Sequence, residues 1–471
     1  MRSRDRLLDF VTDSRHGLAV QKSYFFCGIG GSGMMPLAQI VAAAGHHVAG
    51  SDRALDQGRI GPKFEAMRAQ GIALFAQDGS GVVSADQIVI ASAAIEATVP
   101  DIVRATELGC ARLSRAELLA ELFNAASVSI AVGGTSGKST VTGMIGWILS
   151  EAGRDPTIMN GAVMKDFDSG ARVGAGALFV SEVDESDGSI ALYRPGVAVL
   201  NNVAVDHKSM EELRILFGDF LTRAEACVVN ADNAEAVAIS PDNAVTFGLT
   251  AVADLTAGDI AERPDGVDFK VTDHRSGEAL AARLAVPGRH NVSNAMAAIG
   301  ATMLAGVPMA KAISALASFS GLRRRMDLVG TANGVTVIDD FGHNPDKIAA
   351  TLTALHAFPG RLLLFFQPHG YGPLKLMSRE LADSFIANMK PDDRLIVSDP
   401  AYFGGTVDRS IGSDTLVAMV GPQAEHIAQR PEISARLMAL ARPGDRIVIM
   451  GARDDTLSTF AAGLLDTLSA S

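Results

Sequence analysis

Short apolar runs that end in glycine or in an acid recur along the chain, each followed by residues at helical spacing. Runs of this kind, rich in β-branched and aromatic residues, predict buried parallel strands alternating with helices. In the first region, residues 23–27 read as a strand, 34–44 as a helix and 47–50 as a second strand. Helix 61–70, strand 87–92, helix 100–108 and a closing helix at 115–125 continue the alternation. A second region opens with a strand ending at Gly133 and a helix over 141–149, and carries strands at 177–183, 197–202 and 227–230. Residues 244–286 differ: the short segments 245–248 and 267–272, with turn residues between them, predict antiparallel β added to this region. An alanine-rich helix then runs to residue 304, and strands at 334–338, 362–366, 395–398 and 447–451 alternate with helices in a third region.

The pattern predicts an α/β chain of three domains. A Rossmann-like domain covers 1–126, a central P-loop ATPase-like domain 127–321 and a C-terminal Rossmann-like domain 322–471. A length of 471 residues agrees with three domains at roughly 150 residues each. The sequence contains no short repeat, low-complexity stretch or coiled coil.

Composition narrows the function classes. A formal net charge of −12 leaves no basic surplus to neutralise phosphates, which excludes a nucleic-acid partner. The three cysteines, Cys27, Cys110 and Cys227, are scattered and lie in or near apolar segments, without disulfide or zinc spacing. They read as buried thiols in a reducing compartment. The first residues lack the apolar core of a signal peptide, and no apolar run suits a membrane span. A cytoplasmic protein without membrane insertion is expected, as a monomer or a homodimer.

Candidate chemistry lies at the ends of the strands. After the run ending at Gly133 comes Gly134-Thr135-Ser136-Gly137-Lys138-Ser139-Thr140, opening a helix. Strand, glycine loop and helix N-terminus in that order cradle phosphates. Backbone N–H groups point inward, Lys138 reaches the terminal phosphates, and the Ser139 hydroxyl suits Mg²⁺. The usual spacing asks for glycine at 132, where this chain has Val132. The first strand enters Gly28-Ile29-Gly30-Gly31-Ser32-Gly33, and Asp52 follows the second. This glycine pattern suits the phosphate of a nucleotide-like ligand, dinucleotide or other. The run Glu182-Val183-Asp184-Glu185-Ser186-Asp187 leaves a strand, which favours Glu182 over the later acids for a metal site. His207 after the next strand is either a ligand or a hydrogen-bonded structural histidine. Asn291 and Asn294 share one face at a helix start, suited to a base edge or to capping. Asp339-Asp340-Phe341-Gly342-His343 again leaves a strand.

Taken in order, these motifs resemble those of the Mur ligases of bacterial cell-wall synthesis. Gly-Ile-Gly-Gly-Ser-Gly-Met (28–34), Gly-Thr-Ser-Gly-Lys-Ser-Thr (134–140) and Glu-Val-Asp-Glu-Ser-Asp (182–187) carry the likeness. Asn-Asn-Val-Ala-Val-Asp-His (201–207), Pro-Gly-Arg-His-Asn-Val-Ser-Asn-Ala (287–295), Arg-Arg-Met-Asp (324–327), Asp-Asp-Phe-Gly-His-Asn-Pro (339–345) and Gln-Pro-His (367–369) complete it.

The resemblance implies an ATP-dependent amide ligase that phosphorylates the lactoyl carboxylate of UDP-N-acetylmuramate and passes the acyl group to an amine. L-alanine is the default acceptor. A preformed murein tripeptide, in recycling, and a nucleotide-binding paralogue without turnover are the alternatives. By motif, Lys138 would hold the β- and γ-phosphates. Ser139 and Glu182 would bind one Mg²⁺ and His207 a second. Asn291 and Asn294 would contact adenine, Arg325 and Asp340 would reach ATP, and His343 would lie near the acceptor. Gly28, Gly30, Gly31, Ser32, Gly33 and Asp52 would hold UDP. Two departures stand out. Ser136 and Ser139 replace the family's usual His and Thr, and Gly370-Tyr371-Gly372-Pro373-Leu374-Lys375 follows Gln-Pro-His where arginines are usual.

Overall fold

The computed structural model describes residues 21–31, 33–58, 61–92, 95–205, 208–401, 408–452, 454 and 456–470. The chain divides into two compact units, Met1–Ala125 with Ala171–Val173, and Ala126–Gly170 with Gly174–Ser471. Three sheets organise it, and each carries helices in the α/β manner predicted.

In the first unit, β1 (Ser23–Cys27), β2 (His47–Ser51), β3 (Ala73–Phe75), β4 (Gln87–Ala91) and β5 (Arg112–Ser114) form a sheet in the order β3-β2-β1-β4-β5. Every pairing is parallel. The central strand is apolar on both faces, and Phe25 and Phe26 are fully buried. Local signals end the helices where the sequence says. Pro100 starts Pro100–Leu108, left-handed Gly109 ends it, and Ser114 with Glu117 makes a capping box for Arg115–Asn124.

The second sheet has ten strands: β6 (Val128–Gly133), β7 (Thr157–Met164), β8 (Ser169–Arg172), β9 (Leu178–Glu182), β10 (Val197–Leu200), β11 (Ala226–Asn230), β12 (Val245–Gly248), β13 (Leu255–Arg263), β14 (Gly266–Asp273) and β15 (Glu278–Leu284). They lie in the order β15-β14-β13-β12-β11-β10-β6-β9-β7-β8. Helices Lys138–Glu151, Arg289–Leu304 and Met309–Leu316 pack together over one face around a single large apolar core. Phe217 and Phe220 of Met210–Thr222 are fully buried as well.

The expectation of antiparallel pairing is right for β13, β14 and β15 and wrong for 245–248. That segment, β12, pairs in parallel with β11 and with β13. The cause is local. The Asp232 carboxylate accepts from the N–H groups of Leu249, Thr250 and Ala251, and Asp254 accepts from Thr246, so the link returns the chain in the same direction. Strands β7 and β8 lie outside the elements predicted from sequence. Asn160 and Gly161 interrupt the apolar run of β7, which hides its strand character.

The third sheet contains β16 (Asp327–Ala332), β17 (Val335–Asp340), β18 (Leu362–Gln367), β19 (Arg394–Val397), β20 (Ala424–His426) and β21 (Arg446–Gly451), in the order β16-β17-β21-β18-β19-β20. Only β16 is antiparallel to its neighbour. Separate apolar cores cover its two faces, one under Pro345–His356, Tyr371–Asn388 and Ser413–Val420 and the other under Arg430–Leu440 and Thr456–Ala470. Among the described residues no helix is long and apolar enough to cross a membrane.

The central core sets the stability of the helix that follows β6. Ile145 has no exposed surface and lies in that core. Ile145→Ala should cost about 2–5 kcal/mol by transfer and cavity terms, read as a lower urea midpoint by far-ultraviolet circular dichroism.

Candidate active site

Strand β6 lies between β9 and β10, all parallel, so three carboxyl ends meet at one edge of the sheet. That edge is where ligands bind in such folds. The loop leaving β6 is held by the chain just beyond β10. Thr135 N–H donates to the Asn202 carbonyl at 3.0 Å, and Ser136 N–H donates to Asn202 Oδ1 at 2.8 Å. The amides of Asn201 and Asn202 each donate back to the Ser136 carbonyl at 3.0 Å. Gly137 turns into the helix with φ 84°, where a Cβ would collide with the side chains of Asn201 and Asn294. No side chain caps this helix, which leaves its first N–H groups for an anion.

A chain of amides leads away from the loop. Asn201 Nδ2 donates to Asn294 Oδ1 at 3.0 Å, Asn294 Nδ2 to Asn291 Oδ1 at 3.0 Å, and Asn291 Nδ2 to the Pro287 carbonyl at 2.7 Å. A carbonyl can only accept, so Pro287 fixes the orientation of every amide in the series. Neither Asn291 nor Asn294 caps its helix, because Gly288 is the N-cap residue.

Two carboxylates face the loop. Ser139 Oγ donates to Glu182 Oε2 at 2.7 Å. Gly161 on β7 makes room for that carboxylate, since a Cβ there would overlap Glu182 Oε1. Burial raises the Glu182 carboxyl above its ordinary value, against the Ser139 hydrogen bond and the charges of Lys138 and Arg325. A hydroxyl and a carboxylate at one point are hard oxygen donors that suit Mg²⁺, which keeps waters in its remaining positions. Among the described residues no group of three or more His, Cys, Asp or Glu is placed to hold a metal ion. Glu185 is the second acid. It is 5% exposed and pairs with Lys138 Nζ at 2.9 Å, while the same ammonium donates to the Gly134 carbonyl at 2.7 Å.

The third sheet supplies the opposite wall. Arg324 and Met326 adopt left-handed φ of 60° and 49°, sparsely populated conformations held by specific bonds. Arg324 donates to the carbonyls of Gly451 at 2.7 Å and Asp454 at 3.1 Å, and Met326 N–H donates to Asp340 Oδ1 at 2.8 Å. Between them, Arg325 stacks its guanidinium 4.3 Å over Phe341 and makes no hydrogen bond among the described residues. Burial lowers its pKa, with Asp340 and Glu182 opposing. Asp340 also accepts from Gly342 N–H and Thr351 Oγ1, each at 2.9 Å. A cleft of about 420 Å³ lies between the walls, lined by residues 135–140, Asn201, Asn291, Asn294, Arg325, Asp340 and Lys347.

Family models match this architecture in three successive stretches: "Mur ligase family, catalytic domain" at 23–127, "Mur ligase middle domain" at 132–302 and "Mur ligase, glutamate ligase domain" at 324–453. A UDP-N-acetylmuramate–L-alanine ligase of Geobacter sp. (strain M21) is 35% identical over 444 residues, covering 91% of this chain and 94% of that one. The chain belongs to the Mur ligase family. Its fold matches that of the UDP-N-acetylmuramate-alanine ligase of Thermotoga maritima, with TM-score 0.77 at 23% identity, over 95% of this chain and 99% of that one. A murein peptide ligase of Psychrobacter arcticus gives TM-score 0.69 at 24% identity, over 95% and 99%.

In this Mur ligase the loop residues Gly134 to Thr140, Asn291, Asn294, Arg325, Asp340, Ser139 and Glu182 thus come together in one unit. His207 and Ser32 lie outside the described residues. The glycine loop of the first unit is tied to its own sheet. Gly28 and Ile29 donate to the Ser51 carbonyl at 2.9 Å, and Asp52 accepts from Gly30 N–H and Ala54 N–H, each at 2.8 Å. Asp52 therefore shapes that loop and caps the short helix after it. Glu185, Asn201, Asn202 and Gly161 are the site residues that sequence reasoning missed. The Asn201-Asn202 doublet at a strand end was the available signal. Glu185 sits in an acidic run whose inward member cannot be told from spacing.

His343 follows Asp340. Its Nδ1 lies 2.8 Å from the Phe341 carbonyl, so Nδ1 carries the proton and Nε2 is an acceptor. Burial, then Lys347, pushes its pKa down to about 3. The unfolded chain takes up that proton near pH 6.5, the native protein only near 3. Stability from this group is therefore complete above 6.5 and declines as pH falls through the window to 3. The ring should stay neutral at pH 5 in an NMR titration, and His343→Gln should remove part of the acid sensitivity of the thermal midpoint.

Proposed function

We propose that this Mur ligase joins L-alanine to the lactoyl carboxylate of UDP-N-acetylmuramate, using ATP and releasing ADP and phosphate. The observation that carries the reading is the 35% identity, across nearly the whole chain, to a relative of that name. The chemistry of the cleft agrees with it. A carboxylate has a poor leaving group, and transfer of the γ-phosphoryl supplies a good one. The amine then attacks the acyl phosphate, the new amide bond forms as the bond to phosphate breaks, and the amine proton leaves. Such transfers depend mainly on positioning and on neutralising charge.

Each residue has a part. The N–H groups of 135–140 and the ammonium of Lys138 hold the triphosphate. Asn291 and Asn294 have spare donor and acceptor capacity for an adenine edge. Arg325, without a hydrogen-bonded partner among the described residues, meets the phosphates from the third domain, and Asp340 fixes the backbone that carries it. Ser139 and Glu182 would hold one Mg²⁺ and His207 a second; such ions would supply charge neutralisation at the phosphoryl group. His343 orients the amine through Nε2, since a group with a pKa of about 3 is too weak a base to take its proton at neutral pH. Gly28, Gly30, Gly31, Ser32 and Gly33 hold the UDP moiety, on a loop that Asp52 shapes. Domain limits at 126/127 and 321/322 and a cytoplasmic location complete the proposal.

ADP release should require UDP-N-acetylmuramate, Mg²⁺ and L-alanine together, with little activity when L-Ala-γ-D-Glu-diaminopimelate replaces alanine. ADP formation independent of the sugar nucleotide, or preference for the tripeptide, would overturn the assignment. Lys138→Ala should reduce kcat by at least about 10³-fold, as expected for a principal charge-stabilising group.

A further inference from the structure

The bend after β9 is built to turn one acid inward. Asp184 Oδ1 accepts from Ser186 N–H and Asp187 Oδ1 from Ser189 N–H, each at 2.8 Å, and Gly188 takes a φ of 77°. Asp184, Ser186 and Asp187 are exposed, whereas Glu185 between them is 5% exposed. Its carboxylate straddles Lys138 Nζ, at 2.9 Å and 3.2 Å, and has no other hydrogen-bond partner among the described residues. A buried carboxylate with one cation keeps that cation strongly, because leaving would strand the charge.

From this we propose that Glu185 acts through Lys138 as the anion of the nucleotide-free loop, competing with the incoming phosphates for the same ammonium. The inference rests on the nucleotide reading of the loop. Lys138 has three N–H donors, and the Gly134 carbonyl and Glu185 already engage it. A phosphate must take the remaining donor or displace the carboxylate, and at such separations it is repelled by Glu185 in a partly desolvated site. Glu182 also feels the charge of Lys138, but its hydrogen-bond donor is Ser139, and the direct pair with the ammonium is made by Glu185. The device would keep the lysine extended over the loop and keep nucleotide affinity moderate, so that product ADP leaves.

The sign of the effect separates this from a merely structural role. Calorimetry of the full chain with ADP and Mg²⁺ should give tighter binding for Glu185→Gln, by about tenfold, the worth of one charge-assisted hydrogen bond. Glu185→Asp draws the charge back by one methylene and should tighten binding less; it also serves if the glutamine variant does not fold. In a Lys138→Met background, Glu185→Gln should change ADP affinity little. Unchanged or weaker binding by the folded Glu185 variants overturns the proposal. Equal tightening in the Lys138→Met background also overturns it, by showing a general charge effect. Absence of ADP binding by the unaltered protein would instead sink the nucleotide reading on which it rests.

Discussion

The site depends on the backbone on either side of Ser136, from the Thr135 N–H to the Ser136 carbonyl, being held by the chain beyond β10. Asn202 takes the Thr135 and Ser136 N–H groups, and Asn201 and Asn202 return donors to the Ser136 carbonyl. Without these bonds a glycine-flanked loop would lose backbone order readily, because glycine permits many conformations. With them, the register of β6 against β10, Gly133 opposite Leu200, fixes where the helix N-terminus points. Asn201 reaches the start of Arg289–Leu304 through the amide series, so one network ties the glycine loop to that helix start across the cleft.

Charge is arranged around that frame in alternation. Glu182 lies against Ser139, Glu185 against Lys138, and Arg325 stacks on Phe341 across the cleft. Each group is largely covered, and covering a charge is costly. Opposite charges and hydroxyl donors offset that cost, and Gly161 adds the space that lets Glu182 lie flat against the helix start. The wall bearing Arg325 is under backbone strain at Arg324 and Met326, stabilised by Asp340, Gly451 and Asp454. Strain of this kind persists where the surroundings over-determine it, and it cannot be read from residue order.

Much of the fold was legible because parallel strands buried on both faces are uninterrupted apolar runs, as in Phe25-Phe26 or in 362–366. Where a strand carries polar or small residues set against a neighbouring loop, as β7 does with Asn160 bonded to the Ser139 carbonyl and Gly161 beside Glu182, that signal fails. The direction of β12 was misread because it is set by side-chain acceptance at Asp232, a contact made across the chain. At the site, residues whose chemistry is intrinsic, Lys138, Ser139 and Glu182, could be chosen from sequence. Those that act by holding others, Asn201, Asn202 and Glu185, could not, since their role exists only in the folded neighbourhood.

The stretch after Gln367-Pro368-His369 illustrates the difference between a missing side chain and a missing charge. Gly370 has φ 152° at the start of Tyr371–Asn388, a conformation that an arginine would adopt only under strain. The backbone there has thus been settled around glycine, and a point substitution to arginine would have to move the helix entry. Lys375, the next cation along, is committed to Asp408 at 2.5 Å, which holds the Asp408 carboxyl well below the ordinary range. Its ammonium is free for another anion only when that exposed pair opens, and exposed pairs open at little cost. Positive charge at the start of this helix is therefore recruitable at Lys375 without any change in the backbone at Gly370, so the departure from arginine here changes the geometry in which a cation is presented more than the charge available.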